Sequence, residues 1–203
     1  MSNPFVVTIN RQFGSGGREI GKRVAEKAGI SCYDGSLIAQ VAESKGLSLD
    51  MLKEYDEKRT GSVLYNIGLL ASYNYNRNNS QAFELYYELQ KTIKALEMRG
   101  PAVFIGRSST EILRDNPRTV RVFIYSSDMD KRIDRIVRTE NVTPEQAKKM
   151  MEKKERERRD YFKFWTDKDW SDKKNYDMAL NTSVLSPDEC ARILLCAIDA
   201  PSA

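Results

Sequence analysis

The chain has no histidine among its 203 residues and only three cysteines, Cys32, Cys190 and Cys196. Without histidine a Ser-His-Asp triad is excluded, and three scattered thiols argue against a structural zinc site. The odd cysteine count, with no signal-peptide core at the N-terminus, points to reduced thiols and a cytoplasmic location. No apolar run approaches the roughly 20 residues that span a bilayer. Charge of one sign is not in excess either. Lysine and arginine number 33 against 29 aspartate and glutamate, a net charge of +4. That balance suits an anionic small molecule and gives no reason to expect nucleic acid or a membrane surface. Internal repeats and linkers are also missing, so residues 1–203 read as a single domain. With 40% hydrophobic and 31% charged residues, the composition is that of a soluble protein with a core.

What is there begins with Phe5 to Ile20. Phe5–Ile9 is an apolar, β-branched run, as expected of a buried strand. Gly14, Ser15, Gly16 and Gly17 form a turn whose glycines tolerate positive φ. Ile20, Val24 and Ala28 then recur at helical spacing. A strand, a glycine turn and a helix N-terminus together make an anion site, because unpaired N–H groups and the helix dipole converge there. The phosphate-binding loop pattern is G-x-x-x-x-G-K-[ST]. Over Arg11 to Arg18 the second glycine is present as Gly16. Arg11 stands at the first glycine, Gly17 at the lysine and Arg18 at the hydroxyl position. A turn that merely reverses the chain is the competing reading.

Strand and helix signals alternate along the remainder. A helix from about Gly17 ends near Ala28, with Gly29 as its cap, and Ile30–Asp34 reads as a short strand. Ser36–Lys45 and Leu49–Lys58 read as helical. Gly61–Ser80, rich in tyrosine and asparagine, reads as a loop or flap with a packed portion at Ile67–Leu70. Gln81–Arg99 is an amphipathic helix stopped by Gly100-Pro101, with a face that could pair with a second copy. Ala102–Ile105, Val120–Tyr125 and Asp177–Asn181 are strand candidates. Thr110–Arg114 and Asp128–Arg138 are helical, the latter with Ile133, Ile136 and Val137 inward. Thr143-Pro144-Glu145-Gln146 and Ser186-Pro187-Asp188-Glu189 are capping boxes. The first opens a charged helix running to about Tyr161, and residues 139–172 read as an inserted lid. The expectation is an α/β fold with a parallel sheet and ligands beyond the carboxyl ends of its strands.

Moving a phosphoryl group requires positive charge around a spread-out anionic transition state. Arginines stand where such a site would form: Arg18 at the first helix, Arg107 after a strand, Arg132 and Arg135 on a later helix, and Arg156, Arg158 and Arg159 in the lid. Their planar fork suits phosphate. The lid has a second reading, because Glu152/Arg156 and Glu155/Arg159 are i, i+4 pairs of a solvated helix face. Asp34 reads equally as a turn residue before Gly35 or as a carboxylate for an acceptor. Arg107 has a competing reading as a surface arginine. The aromatic cluster Tyr161, Phe162, Phe164, Trp165 and Trp170 reads as lid packing or as a pocket lining.

The stretch Val7 to Gly21 resembles the opening of the bacterial cytidylate kinase-like proteins, relatives of nucleoside monophosphate kinases. The resemblance continues through Tyr33-Asp34, Val103–Arg107, Tyr161–Thr166, Asp169-Trp170, Asn175–Asp177 and Asn181–Ser183. It implies a P-loop kinase fold, with a five-stranded parallel sheet and a helical lid, that moves the γ-phosphoryl group of ATP, with Mg²⁺, to a monophosphate such as (d)CMP. Phosphates would lie over Gly14, Ser15, Gly16, Gly17, Arg18 and Glu19. Asp34 and Arg107 would face the acceptor. Arg18, Arg135, Arg156, Arg158 and Arg159 would act on the transferring group, Arg18 replacing the lost lysine and Arg132 standing nearby. No residue is assigned to a metal: Arg18 cannot ligate magnesium, whereas Glu19 has the chemistry to. True cytidylate kinases also carry an aspartate where this chain has Ser108. A regulatory module that binds nucleotide without phosphotransfer, or a kinase of another small acceptor, are the alternatives.

Overall fold

The computed structural model describes residues 6–35 and 79–199. The helices expected at Ser36–Lys45 and Leu49–Lys58, and residues 61–78 of the loop or flap expected over Gly61–Ser80, lie outside the described residues; Asn79 and Ser80 open a helix instead. Five strands are present: β1 (Val6–Arg11), β2 (Ser31–Asp34), β3 (Ala102–Ile105), β4 (Thr119–Tyr125) and β5 (Met178–Asn181). Among the described residues the helices are α1 (Gly17–Ala28), α2 (Asn79–Glu97), α3 (Ser109–Ile112), α4 (Met129–Glu140), α5 (Pro144–Thr166) and α6 (Pro187–Asp199). All strand pairings are parallel, in the order β2-β3-β1-β4-β5. The parallel α/β architecture expected from the alternating signals is the one found.

Side-chain alternation along the strands builds a core on each face of the sheet. Val7 and Ile9 of β1, Val103 and Ile105 of β3, and Val122 and Ile124 of β4 pack against Ile20 and Val24 of α1 and Leu194 of α6. On the other face Val6, Ala102 and Phe104 meet Leu89, Ile93 and Leu96 of α2 and Tyr161 of α5. Phe123 meets Phe162, Trp170 and Tyr176. Full burial of such side chains contributes about 1.5–3 kcal/mol each. Because the strands run parallel, Arg11, Asp34, Ile105, Tyr125 and Asn181 all end at the same edge of the sheet, where α/β folds place their ligands.

Local signals fix the helix ends. Gly29 terminates α1 in the left-handed region at φ 64°. Asp128 caps α4 by accepting from Lys131 N. Thr143 and Gln146 form the expected reciprocal box at the start of α5. Ser186 and Glu189 do the same before α6. Helix α5 runs a turn beyond its expected end at Tyr161. Phe162 is buried, the Thr166 hydroxyl donates to Phe162 O, and Asp167 closes the helix at φ 55°. Ile136 of α4, with Ile133 and Val137 partly buried beside it, packs against Ala147 and Met151 of α5, so the two helices form one unit. Among the described residues no helix is long and apolar enough to cross a membrane.

Candidate active site

The turn after β1 is built as a cradle. Gly14 and Gly16 sit at φ 79° and 81°, and Gly16 is the N-cap of α1. Ser15 is buried, with its hydroxyl turned inward to Gln12 O and Ile124 O. The N–H groups of Gly16, Gly17, Arg18 and Glu19 donate to no acceptor among the described residues, the condition under which a helix start binds an anion. The Arg135 guanidinium of α4 lies over Gly16 and pairs with Glu19. Glu19 also pairs with Arg23 at 2.7 Å. Burial pushes the Glu19 carboxyl up, but the hydrogen bonds from Arg23 and Arg135 outweigh it and hold the group below its ordinary range. On this side of the turn lies a cavity of about 210 Å³ lined by Gly14, Ser15, Lys131, Arg135, Arg138 and Thr182.

A larger cavity of about 320 Å³ opens on the other side, between the ends of β1, β2 and β3 and the α5 helix. Arg11, Arg18, Arg107, Lys154 and Arg158 face it, against Asp34 and Glu157. Arg107 sits in a strained turn. Gly106, Arg107 and Ser108 hold φ 80°, 58° and 53° in succession, a conformation that costs non-glycine residues about 1–3 kcal/mol each and clusters at functional sites. The turn carries the Arg107 guanidinium to Gly35 O, with Nε and Nη2 both at 3.2 Å. Arg158 donates to Arg11 O at 2.8 Å and lies over the Phe13 ring.

Crowded charge marks this cavity. Burial lowers the Arg11 pKa well below its ordinary value, and the charges of Arg158, Arg107 and Arg18 lower it further, with Asp34 the opposing influence. Burial also lowers Arg107, against the pull of Tyr161 and Asp34. Arg158 is pushed down to about 10, chiefly by burial. Burial pushes the Tyr161 hydroxyl up. The Ser108 Oγ beside it acts in the opposite direction, and by distance and angle neither hydroxyl completes a hydrogen bond among the described residues. Beneath the cavity, Asn10 is pinned by a buried network. Its Nδ2 donates to Tyr176 Oη at 3.1 Å, its Oδ1 accepts from Trp170 Nε1 at 2.9 Å, and Tyr176 Oη donates to Trp170 O at 2.7 Å.

The model of the Cytidylate kinase-like family matches residues 6–184. The chain belongs to that family. A cytidylate kinase from Methanopyrus kandleri is 25% identical over 96% of this chain and 93% of its own length. An uncharacterised protein from Eubacterium ventriosum superposes with a TM-score of 0.71 at 24% identity, covering 97% of this chain and 99% of that one. A gluconokinase from Sinorhizobium meliloti shares the fold, with a TM-score of 0.51 at 13% identity over 98% and 93% of the two chains. The fold is that of the P-loop kinases, and membership of the cytidylate kinase-like family places the chain among phosphotransferases.

Within this cytidylate kinase-like frame the residues singled out from sequence separate into groups. Gly14 to Glu19 form the cradle, and Arg135 stands over it. Asp34, Arg107 and Arg158 meet at the larger cavity. Arg18 lines that cavity's rim, with a side chain 62% exposed and paired with Asp34. Arg156 and Arg159 lie on the exposed face of α5 and line neither of these cavities. The pair expected between Glu155 and Arg159 is replaced by one between Glu155 and the buried Arg132, whose Nε also holds Phe13 O at 3.0 Å. Asn10 escaped the sequence reading, and Arg11 entered it only as the first residue of the strand-end loop Arg11–Arg18, with no role of its own. The loop template assigns position 11 to glycine, and a lone asparagine at a strand end carries no signal.

The residues present do not make a magnesium shell. Arg18 stands at the position of the metal-binding hydroxyl, Ser15 Oγ faces inward, and the Glu19 carboxylate is held by Arg135 and Arg23. Among the described residues no group of three or more aspartate, glutamate or cysteine side chains converges on a metal position.

Proposed function

We propose that the protein transfers the γ-phosphoryl group of ATP to a nucleoside monophosphate such as (d)CMP. The observation that carries this reading is the pair of cation-lined cavities on either side of one glycine turn. The turn's N–H groups and Arg135 take the donor phosphates in the smaller cavity. Arg107 and Arg158 take the acceptor's phosphate in the larger one, with Asp34 to accept from its sugar or base. The free hydroxyls of Ser108 and Tyr161 offer further polar partners. Catalysis is positioning and electrostatic stabilisation. A monophosphate acceptor fits a chain without histidine. Its attacking oxygen loses its proton with a pKa of about 6, so no general base is needed at neutral pH. A hydroxyl acceptor would need one, a task that would fall to Asp34 or Glu157 at the same cavity. In this reading residues 139–172 are the lid. Arg156 and Arg159 reach the transferring group only when the α4–α5 unit closes. The enzyme would be cytoplasmic, with nucleotides as its partners and ATP delivered with its own Mg²⁺.

A second reading, nucleotide binding without transfer, draws on the replaced lysine and hydroxyl of the loop. ADP release from ATP, with a panel of nucleoside monophosphates and without acceptor, separates the two. Acceptor-dependent release is expected. Binding of ATP by calorimetry with no acceptor-dependent release would establish the second reading instead.

A further inference from the structure

The loop departs from the phosphate-binding pattern at two glycine-dependent places, and the structure sets the two side by side. Arg11 stands where the pattern has glycine, and Gly17 where it has lysine. A Cβ at position 17 would lie 2.7 Å from Arg11 Cβ and 3.0 Å from its Cγ. The stem of Arg11 therefore fills the space that the stem of a residue-17 lysine would need. Farther out, a Cβ at position 106 would collide with Arg11 Nη1. The side chain thus threads between two glycines, from the end of β1, across the start of α1, to the end of β3. Its guanidinium faces the larger cavity beside Arg107 and Arg158. It donates no hydrogen bond to any described residue.

We infer that Arg11 performs the phosphate-holding task of the missing loop lysine, reaching the transferring group through the opening that Gly17 leaves. The exchange is reciprocal: the cation has moved from the first helical turn to the preceding strand, and the glycine has moved the other way. Arg11 suits this role better than Arg18. Arg18 is largely exposed and its guanidinium is taken by Asp34. Arg11 is partly buried, its guanidinium has no hydrogen-bond or salt-bridge partner among the described residues, and it lines the cavity. Its fork can hold two oxygens of one phosphoryl group, where lysine offers a point charge. A partly buried cation without a hydrogen-bonded partner among the described residues strains the empty protein; Asp34 offsets part of that charge, and a bound anion would supply the missing partner. This assignment rests on the phosphotransfer reading for its catalytic half and on anion binding alone for the other.

The test uses the full chain and two readouts: melting temperature with and without inorganic pyrophosphate, and ADP release in the acceptor panel. Arg11→Met should raise the melting temperature of the ligand-free protein, abolish most of the pyrophosphate-induced rise, and cut turnover roughly 100-fold or more. Arg11→Lys should recover part of both losses. Gly17→Lys alone should collide with Arg11 and bind poorly. Arg11→Gly combined with Gly17→Lys should regain the pyrophosphate response, a coupling that independent sites would not show. A full pyrophosphate response in Arg11→Met, or a lowered melting temperature with that response intact, would assign Arg11 a structural role and overturn the inference. Wild-type protein that releases no ADP with any acceptor, yet loses its pyrophosphate response in Arg11→Met, would remove the kinase reading and leave Arg11 as the anion ligand. Turnover that survives in Arg11→Met would do the reverse.

Discussion

At the scale of single residues, the site depends on groups whose importance comes from what surrounds them. Asn10 is 6% exposed and supplies both an acceptor and a donor to the segment that follows the α5 helix. Replacing it with a similar-sized apolar side chain leaves the Trp170 indole N–H without its acceptor and the Tyr176 hydroxyl without its donor. A buried group left unsatisfied costs about 1–3 kcal/mol. Asn10→Leu should therefore lower the unfolding free energy by an amount in that range, seen as a lower urea midpoint with an unchanged slope. Because the network forms the cavity floor, Asn10→Leu should also weaken acceptor binding more than ATP binding. A stability equal to wild type would show that the network contributes nothing net. None of this was legible in the sequence, where Asn10 is one polar residue at the end of an apolar run. Its partners stand 160 and 166 positions away.

At the scale of elements, helices α1 and α4 are joined across the glycine turn by Glu19, which pairs with Arg135 on α4 and Arg23 on α1. The Glu19 carboxyl is held below its ordinary range in the folded protein. Its contribution is therefore fully present above the unfolded carboxyl value, near 4.5, and is lost as pH falls through the depressed folded value. The side chain is 38% exposed, so solvent screens the pair and the effect is modest. Melting temperatures of wild type and Glu19→Gln, followed from pH 7 down to pH 3, should differ at the upper end and converge at the lower. A difference that stays constant with pH would mean the pair does not titrate as described. Element existence was the legible part of the fold. The β-branched runs at Val6–Ile9, Ala102–Ile105 and Val120–Tyr125, and the capping box at Thr143, carry short-range signals that survive in the structure. The phase of α5 was not legible. Charge surrounds the whole helix, and the packing of Ala147, Met151, Tyr161 and Phe162 decides that Arg158 faces the cavity while Arg156 and Arg159 face solvent.

At the scale of the whole molecule, a net charge of +4 conceals a strong local imbalance. Arg11, Arg107 and Arg158 share one cavity, and burial depresses the pKa of all three. Each depression means that the folded, empty protein disfavours its own charges, and on the proposed reading a bound anion relieves them. Binding and folding are then linked by mass action. Pyrophosphate at 100 times its dissociation constant stabilises the native state by about 2.7 kcal/mol. For a protein of this size, that converts to a rise of about 5–10 °C in melting temperature. Sodium chloride at equal ionic strength only screens, and it should produce a much smaller rise because the cluster is partly buried. Equal shifts from the two salts would show that the arginines act as surface charge, open to screening, and that the cavity holds no phosphate. A larger shift from pyrophosphate would show that the same residues which weaken the empty fold are the ones the ligand restores.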